Sequence, residues 1–223
     1  MVIKELGIDD AGRGPVMGPM ILGGCLINKS DEQELRELGV KDSKMLTPKK
    51  RAFLAEKIKE VAISYKLVRI FPEEIDSQKE AGVKLNEVEA IAAAKITDAL
   101  NSLDEKLDVV LDCPSTNTLA WKDFFISRLK RTDNLNVESK HRADQTNISV
   151  SAASILAKEE REKEVQKIKD KYGNHIGSGY PSDPNTIAFL KKNAIKLKDD
   201  GIFRKSWSTY QKYGGKVNQK TLF

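Results

Sequence analysis

Strand-like and helix-like hydrophobic patterns alternate along this 223-residue chain. Val2 to Asp9 and Met17 to Ile27 read as strands, separated by the Gly- and Pro-containing turn Ala11 to Val16. Thr47 has the character of an N-cap with Pro48 at the first helical position, which predicts a helix to about Val61. Ala62 to Phe71 alternates enough for a third strand, ended by Pro72. Lys84 to Leu103 carries apolar residues at 85, 88, 91, 92, 96 and 100, a helical period over several turns. Leu107 to Leu111 is a short apolar run that fits a buried strand, stopped by Cys113-Pro114. Trp121 to Leu129 reads as helix, Leu135 to Ser139 as a last strand, and Ile148 to Lys171 as a long helix. That helix is small and apolar in its first half, fit to pack closely on a sheet, and heavily charged in its second. A Gly-rich loop, Gly173 to Gly179, leads through Tyr180-Pro181-Ser182-Asp183-Pro184 to a helix from about Asn185 to Ile195. This succession predicts an α/β domain with a largely helical C-terminal extension.

Composition supports a globular chain: 39% apolar against 32% charged residues, with a mean hydropathy of −0.47. No apolar run reaches the roughly 18 residues of a membrane span, and the first residues lack the charged, apolar and cleavage segments of a secretory signal. A cytoplasmic location with no membrane partner is the expectation. Cys25 and Cys113 are far apart and outside any C-x-x-C spacing, so both read as buried small hydrophobes rather than a zinc site or disulfide. The net charge of +5 is unevenly spread: residues 191–223 carry +7 and the first 190 carry −2. A basic tail beside a near-neutral body suits a polyanion partner, though a tail that merely solubilises would look the same.

Four aspartates fall where strands end or helices begin. Asp9 and Asp10 close the first strand, Asp112 closes the short buried one, and Asp144 precedes the Ser/Ala-rich helix. Scattered aspartates are usually caps or surface charges. Gathered at one sheet edge they would repel, and a hard divalent cation such as Mg²⁺ or Mn²⁺ would resolve the conflict. Gly12-Arg13-Gly14 follows the acidic pair after the single residue Ala11, offering close backbone approach and a guanidinium suited to phosphate, or simply a tight turn. It misses the G-x-G-x-x-G dinucleotide spacing by one residue and contains Pro15.

The motifs resemble one family when taken in order: Gly7-Ile8-Asp9-Asp10-Ala11-Gly12-Arg13-Gly14; Asp42-Ser43-Lys44 with Leu46-Thr47; Asp112 after a buried strand; His141-Arg142-Ala143-Asp144 followed by Ser151-Ala152-Ala153-Ser154-Ile155-Leu156-Ala157-Lys158; and Gly177-Ser178-Gly179-Tyr180-Pro181-Ser182-Asp183. Together they look like type 2 ribonuclease H in its archaeal form, over nearly the whole chain. The resemblance implies an RNase H-like fold with a five-stranded mixed sheet flanked by helices. It also implies a catalytic domain over residues 1–180 and a helical, basic extension over 181–223.

The implied activity is endonucleolytic cutting of RNA paired with DNA, including 5′ of a single ribonucleotide embedded in duplex DNA, leaving 3′-hydroxyl and 5′-phosphate ends. Asp9, Asp10, Asp112 and Asp144 would be the catalytic, metal-binding carboxylates, with Mn²⁺ or Mg²⁺ as cofactor. Gly12, Arg13 and Gly14 would read the 2′-hydroxyl, Lys44 would contact phosphate, and Tyr180 would stack on a deoxyribose. The expected partner is nucleic acid, RNA–DNA hybrid or ribonucleotide-containing duplex, and the expected state a monomer.

One departure stands out: the family usually has Glu where this chain has Asp10, a side chain one methylene shorter. Elsewhere, Tyr180 could instead cover a core edge, and His175 could be a proton shuttle or a plain surface residue. The segment Phe203-Arg204-Lys205-Ser206-Trp207 with Tyr210 and Tyr213 could bind single strands or dock the tail. Docking is the favoured reading, with the bases left to face a duplex.

Overall fold

The structure is a computed structural model that describes residues 3–41, 46–101 and 105–215. Its sheet has the strand order β3-β2-β1-β4-β5, with β1 Lys4–Ala11, β2 Met20–Asn28, β3 Ser64–Ile70, β4 Leu107–Asp112 and β5 Leu135–Lys140. Strand β1 runs antiparallel to β2 and parallel to β4, and β4 runs parallel to β5. The sheet is therefore five-stranded and mixed, as the resemblance implied.

The helices are α1 Glu32–Leu38, α2 Pro48–Val61, α3 Pro72–Glu80, α4 Leu85–Leu100, α5 Thr118–Ile126, α6 Ala143–Thr146, α7 Ile148–Tyr172, α8 Pro184–Asn193 and α9 Ser208–Gly214. Several begin as their residues dictate. The Thr47 hydroxyl accepts the Lys50 N–H at 3.3 Å ahead of Pro48, and Asn117 accepts the Ala120 N–H at 3.0 Å. Helices α1, α3 and α6 were not anticipated, and α9 was foreseen only as part of a largely helical extension without bounds of its own. At α3, Pro72 does end the strand, but it also occupies the first turn of a new helix, where its missing N–H costs nothing. The second strand starts at Met20 rather than Met17, because Met17 forms an isolated antiparallel bridge with Phe203 instead.

Contacts group the chain into two units. The first comprises Met1–Ala11, Ile21–Val68 and Asn86–Glu160. Within it the sheet is covered on both faces, and two adjacent glycines of β2 show how tightly. A Cβ on Gly23 would lie 2.7 Å from the Ala153 carbonyl oxygen of α7, and one on Gly24 would lie 2.3 Å from the Ile96 side chain of α4. Neighbouring strand residues face opposite sides, so α7 and α4 lie on opposite faces. On β1, Gly7 meets the main chain of α7 even more closely: an added Cβ would sit 2.1 Å from the Ser149 carbonyl carbon. The small residues Ala152 and Ala153 at the start of α7 join a core with Cys25, Ile27, Leu54, Ile58 and Ile155. Both cysteines are buried, and burial pushes the Cys25 thiol up to about 12.

The second unit comprises Gly12–Met20, Arg69–Leu85 and Arg161–Phe223. Its core is built from Val16, Met17, Ile176, Phe189, Phe203 and Tyr210. The aromatics of the tail thus dock, as favoured from sequence.

Gly7→Ala is expected to lower stability by at least about 2 kcal/mol in urea unfolding, since backbone rather than a flexible side chain would have to move. A change within error would show that α7 can lift from β1 cheaply.

Candidate active site

In the first unit, Asp9 and Asp112 occupy the C-terminal ends of adjacent parallel strands. The register pairs Ile8 with Leu111, so the two aspartates are the next residues along β1 and β4. Asp9 is only 6% exposed. It accepts the N–H of Asp10 at 2.7 Å and a hydrogen bond from the Ser154 side chain on α7. Burial holds its carboxyl well above the usual carboxylate range, and the negative charges of Asp10 and Asp112 push it further up; the two hydrogen bonds only partly oppose this.

Asp112 connects this pair to Asp144. Its Oδ1 accepts the Ala143 N–H at 2.7 Å at the start of α6, where Asp144 is the next residue and is buried. The chain reaches that point through Arg142, at φ 56° the sole non-glycine with positive φ among the described residues. The Ser151 hydroxyl of α7 donates to the Asp144 carbonyl at 2.6 Å. His141 lies beside this turn, with Nδ1 3.0 Å from the Cys113 carbonyl oxygen.

Four residues of this surrounding lattice, Glu5, Lys29, Asn147 and Ser149, were not singled out from the sequence. Glu5 is buried and accepts the Asn147 amide at 2.9 Å and the Ser149 hydroxyl at 2.8 Å, with Lys29 at 3.3 Å. It ties β1 to the α6–α7 junction. Glu5 lies 142 and 144 residues from those partners, a separation no local pattern can show.

Among the described residues no group of three His, Cys, Asp or Glu is drawn up ready to hold a metal ion. The donor chemistry nonetheless fits one. A buried carboxyl held up in its proton affinity by burial and by two neighbouring carboxylates is short of positive charge, and hard oxygen donors suit Mg²⁺ or Mn²⁺.

In the second unit, Gly12 has φ +84°, and a Cβ there would lie 2.3 Å from Cδ of Arg161, so only glycine fits. The loop that follows is pinned by main-chain bonds from the Val16 N–H to the Gly179 carbonyl at 2.8 Å and from the Gly18 N–H to the Ile202 carbonyl at 2.9 Å. Tyr180 is 40% exposed; its ring edge lies 3.8 Å from where a Gly14 Cβ would be, and the Arg161 guanidinium is 5.2 Å from its centroid. Structure thus brings Gly12, Gly14 and Tyr180 together. Thr186, not foreseen, accepts the Gly179 N–H at 2.9 Å and donates to the Ile176 carbonyl at 3.0 Å. Asp183 accepts the N–H groups of Ser178 at 2.6 Å and Asn185 at 2.9 Å, which keeps its carboxyl below the usual range.

Lys44 lies outside the described residues. His175 is exposed and packs edge-on to Phe189, 5.5 Å between centroids. Arg204 corrects the expectation that the tail's bases face a duplex, since it is completely buried among backbone carbonyls.

The family model described as Ribonuclease HII matches residues 6–210. A relative named Ribonuclease HII from Thermococcus onnurineus is 42% identical over 96% of this chain and 92% of its own. Among solved structures, ribonuclease H2 from Pyrococcus horikoshii superposes with a TM-score of 0.83 at 38% identity, covering 95% of this chain and 97% of that one. The RNase HII of Archaeoglobus fulgidus, solved in a complex with PCNA, gives 0.81 at 34%, covering 99% and 98%. Bst-RNase HIII, solved with Mn²⁺, gives 0.75 at 18%, covering 95% and 69%, a likeness of fold alone. The fold is RNase H-like, and no helix among the described residues is long and apolar enough to cross a membrane.

The raised Asp9 carboxyl has a consequence for stability. Folding favours its protonated form, so stability present at low pH is lost as pH climbs from the ordinary value of 3.8 toward the raised one. In metal-free protein, Asp9→Asn should therefore raise the melting temperature near neutral pH and change it little below about pH 4. A shift of equal size at both pH values would remove this account.

Proposed function

The chain belongs to the ribonuclease HII family, endonucleases that degrade the RNA of RNA–DNA hybrids, and we propose that it also cuts 5′ of single ribonucleotides embedded in duplex DNA. The products would be 3′-hydroxyl and 5′-phosphate ends. What carries the proposal is the acidic crowd at the ends of β1 and β4, where Asp10 and Asp112 raise the proton affinity of a buried Asp9. An excess of negative charge in a place of low polarity is what a divalent-ion site looks like without its ion.

Asp9, Asp10, Asp112 and Asp144 would hold Mg²⁺ or Mn²⁺. Such ions supply a Lewis acid for the phosphate oxygens and a more acidic water. The surrounding residues do the rest. Ser154 orients Asp9, and the Ala143 N–H orients Asp112.

Gly12, Arg13 and Gly14 would meet the 2′-hydroxyl through the main chain, the group that separates RNA from DNA. Tyr180, with one region of its ring against Arg161 and 40% of its surface open, suits stacking on a deoxyribose. Lys44 would contact phosphate, a role proposed from its motif alone.

End-labelled duplexes with no ribonucleotide, one ribonucleotide or an RNA tract, incubated with Mg²⁺, Mn²⁺ or EDTA, test this directly. A cut 5′ to the lone ribonucleotide that EDTA abolishes is expected; cleavage of the tract alone would defeat the embedded-ribonucleotide reading. Asp112→Asn should lower turnover at least about 100-fold while leaving substrate affinity within about threefold. Asp10→Glu, which restores the longer side chain of the family, should keep or raise activity with Mg²⁺. Complete loss would mean that the site is built around Asp.

A further inference from the structure

Arg204 is fully buried, and its guanidinium is directed at the main chain of one loop. Its Nη2 donates to the Gly12 carbonyl at 2.6 Å and the Gly18 carbonyl at 3.0 Å, Nη1 to the Arg13 carbonyl at 2.8 Å, and Nε to the Gly18 carbonyl at 3.1 Å. Trp207, three residues on, lies 5.0 Å from the guanidinium by its ring centroid, and its indole N–H donates to the Gly14 carbonyl at 3.3 Å. Two side chains from the tail thus hold three consecutive carbonyls of the Gly12–Gly14 loop.

The orientation of those carbonyls fixes the orientation of the N–H groups. A peptide unit is planar and trans, with its C=O and N–H on opposite sides, and no cis bond occurs among the described residues. When the carbonyls of Gly12 and Arg13 turn into Arg204, the N–H groups of Arg13 and Gly14 must turn away from it. The Gly14 carbonyl belongs to the unit shared with Pro15, which has no N–H, so the Trp207 bond steadies the loop without aiming a further donor. A cation at the oxygen end also polarises the unit, which makes the N–H at the other end a stronger donor. The planar fork of Arg can reach several carbonyls at once, and the point charge of Lys cannot do so equally well.

We propose that Arg204 is a positioning residue for substrate selection: through the Gly12 and Arg13 carbonyls it aims and strengthens the Arg13 and Gly14 N–H groups as donors to the substrate's 2′-oxygen, with Trp207 bracing it. This rests on the reading that the loop recognises the ribonucleotide. Arg204 itself touches no substrate. Its effect should therefore appear as lost discrimination between 2′-hydroxyl and 2′-hydrogen, not as a general loss of affinity for duplex.

The test measures Kd for a duplex with one ribonucleotide and for its all-DNA counterpart, in full-length protein carrying Asp112→Asn to prevent cutting. The parent should prefer the ribonucleotide. Adding Arg204→Met should cut that preference about 5- to 20-fold, and Arg204→Lys should cut it less. Amide resonances of Arg13 and Gly14, which should shift when the ribonucleotide duplex binds the parent, should shift less in the variants. A parent without any preference would overturn the loop-reading premise and the proposal with it. A parent with preference, and a folded Arg204→Met protein that retains it or weakens on both duplexes equally, would overturn the proposal alone. Should Arg204→Met fail to fold, a folded Arg204→Lys protein with undiminished preference is equally decisive against it.

Discussion

The approach of helix α7 to strand β1 at main-chain distance is the constraint on which the sheet unit and its cluster of aspartates rest. No side chain separates α7 from β1 at Gly7, where a Cβ would lie 2.1 Å from Ser149, or from the neighbouring β2 at Gly23, where one would lie 2.7 Å from Ala153. A helix this close must present small residues, and α7 does so with Ser149, Ala152, Ala153, Ser154 and Ala157. The closeness brings hydroxyls within reach of carboxylates on the same face of β1: Ser149 for Glu5 and Ser154 for Asp9. It also removes Asp9 from water. The packing that stabilises the fold is thus also what makes the site electrostatically uncomfortable, a conflict that functional sites commonly keep.

Much of this was legible because the signals were local. Strands β3 and β4 ended within two residues of the prolines that marked them, whereas β1 ran on past Asp9 to Ala11; the four aspartates stood out because each sat near an element boundary. That Asp9 and Asp112 are neighbours was not local information; it follows from the parallel pairing of β1 with β4, which no periodicity reports. The missed helices explain themselves physically. Helix α1 buries only Leu35, and α3 only Pro72 and Ile75, so neither has an apolar stripe to read. Helix α6 is four residues long, entered through the left-handed Arg142. Glu5 was passed over because a charged residue in a strand ordinarily faces solvent. Its satisfaction by Asn147 and Ser149 becomes visible only once the chain has folded back.

The basic tail marks a different limit. Its charge was rightly noticed, but a cation that faces phosphates and one that faces carbonyls look identical in sequence, since both seek arrays of oxygen. Arg204 took the second kind of partner. Its neighbours show how firmly the segment is held: the N–H groups of Lys205 and Ser206 donate to the two oxygens of Asp76 on α3 at 2.7 and 3.0 Å. The side chain of Lys79, on the same helix, donates to the Ser206 carbonyl at 2.9 Å. A tail anchored at its polar main chain and its aromatics is part of the core of its unit, and its charge count alone overstates what is left for a polyanion.

The acidic pair at the end of β1 carries one more geometric consequence. Side chains alternate along a strand, so Asp9 shares the face of Glu5 and Gly7, under α7, while Asp10 falls on the face of Leu6 and Ile8. Two carboxylates on opposite faces can serve one ion only near a strand end; here the pairing of β1 with β4 has stopped at Ile8, just before them, although β2 still pairs with β1 as far as Ala11. Asp10 is nevertheless near enough for its charge to be the largest electrostatic influence on Asp9. Reaching round the strand's end is a task in which side-chain length matters directly. In the proposed site, a residue one methylene shorter than the Glu that the resemblance implies would have to make up the distance by a shift of main chain, by an intervening water, or by an ion that tolerates longer or less regular contacts. Were Asp10 to hold the proposed ion, the close contact of Gly7 with α7 would make the first route costly for β1 and leave the ion and its waters to absorb the difference.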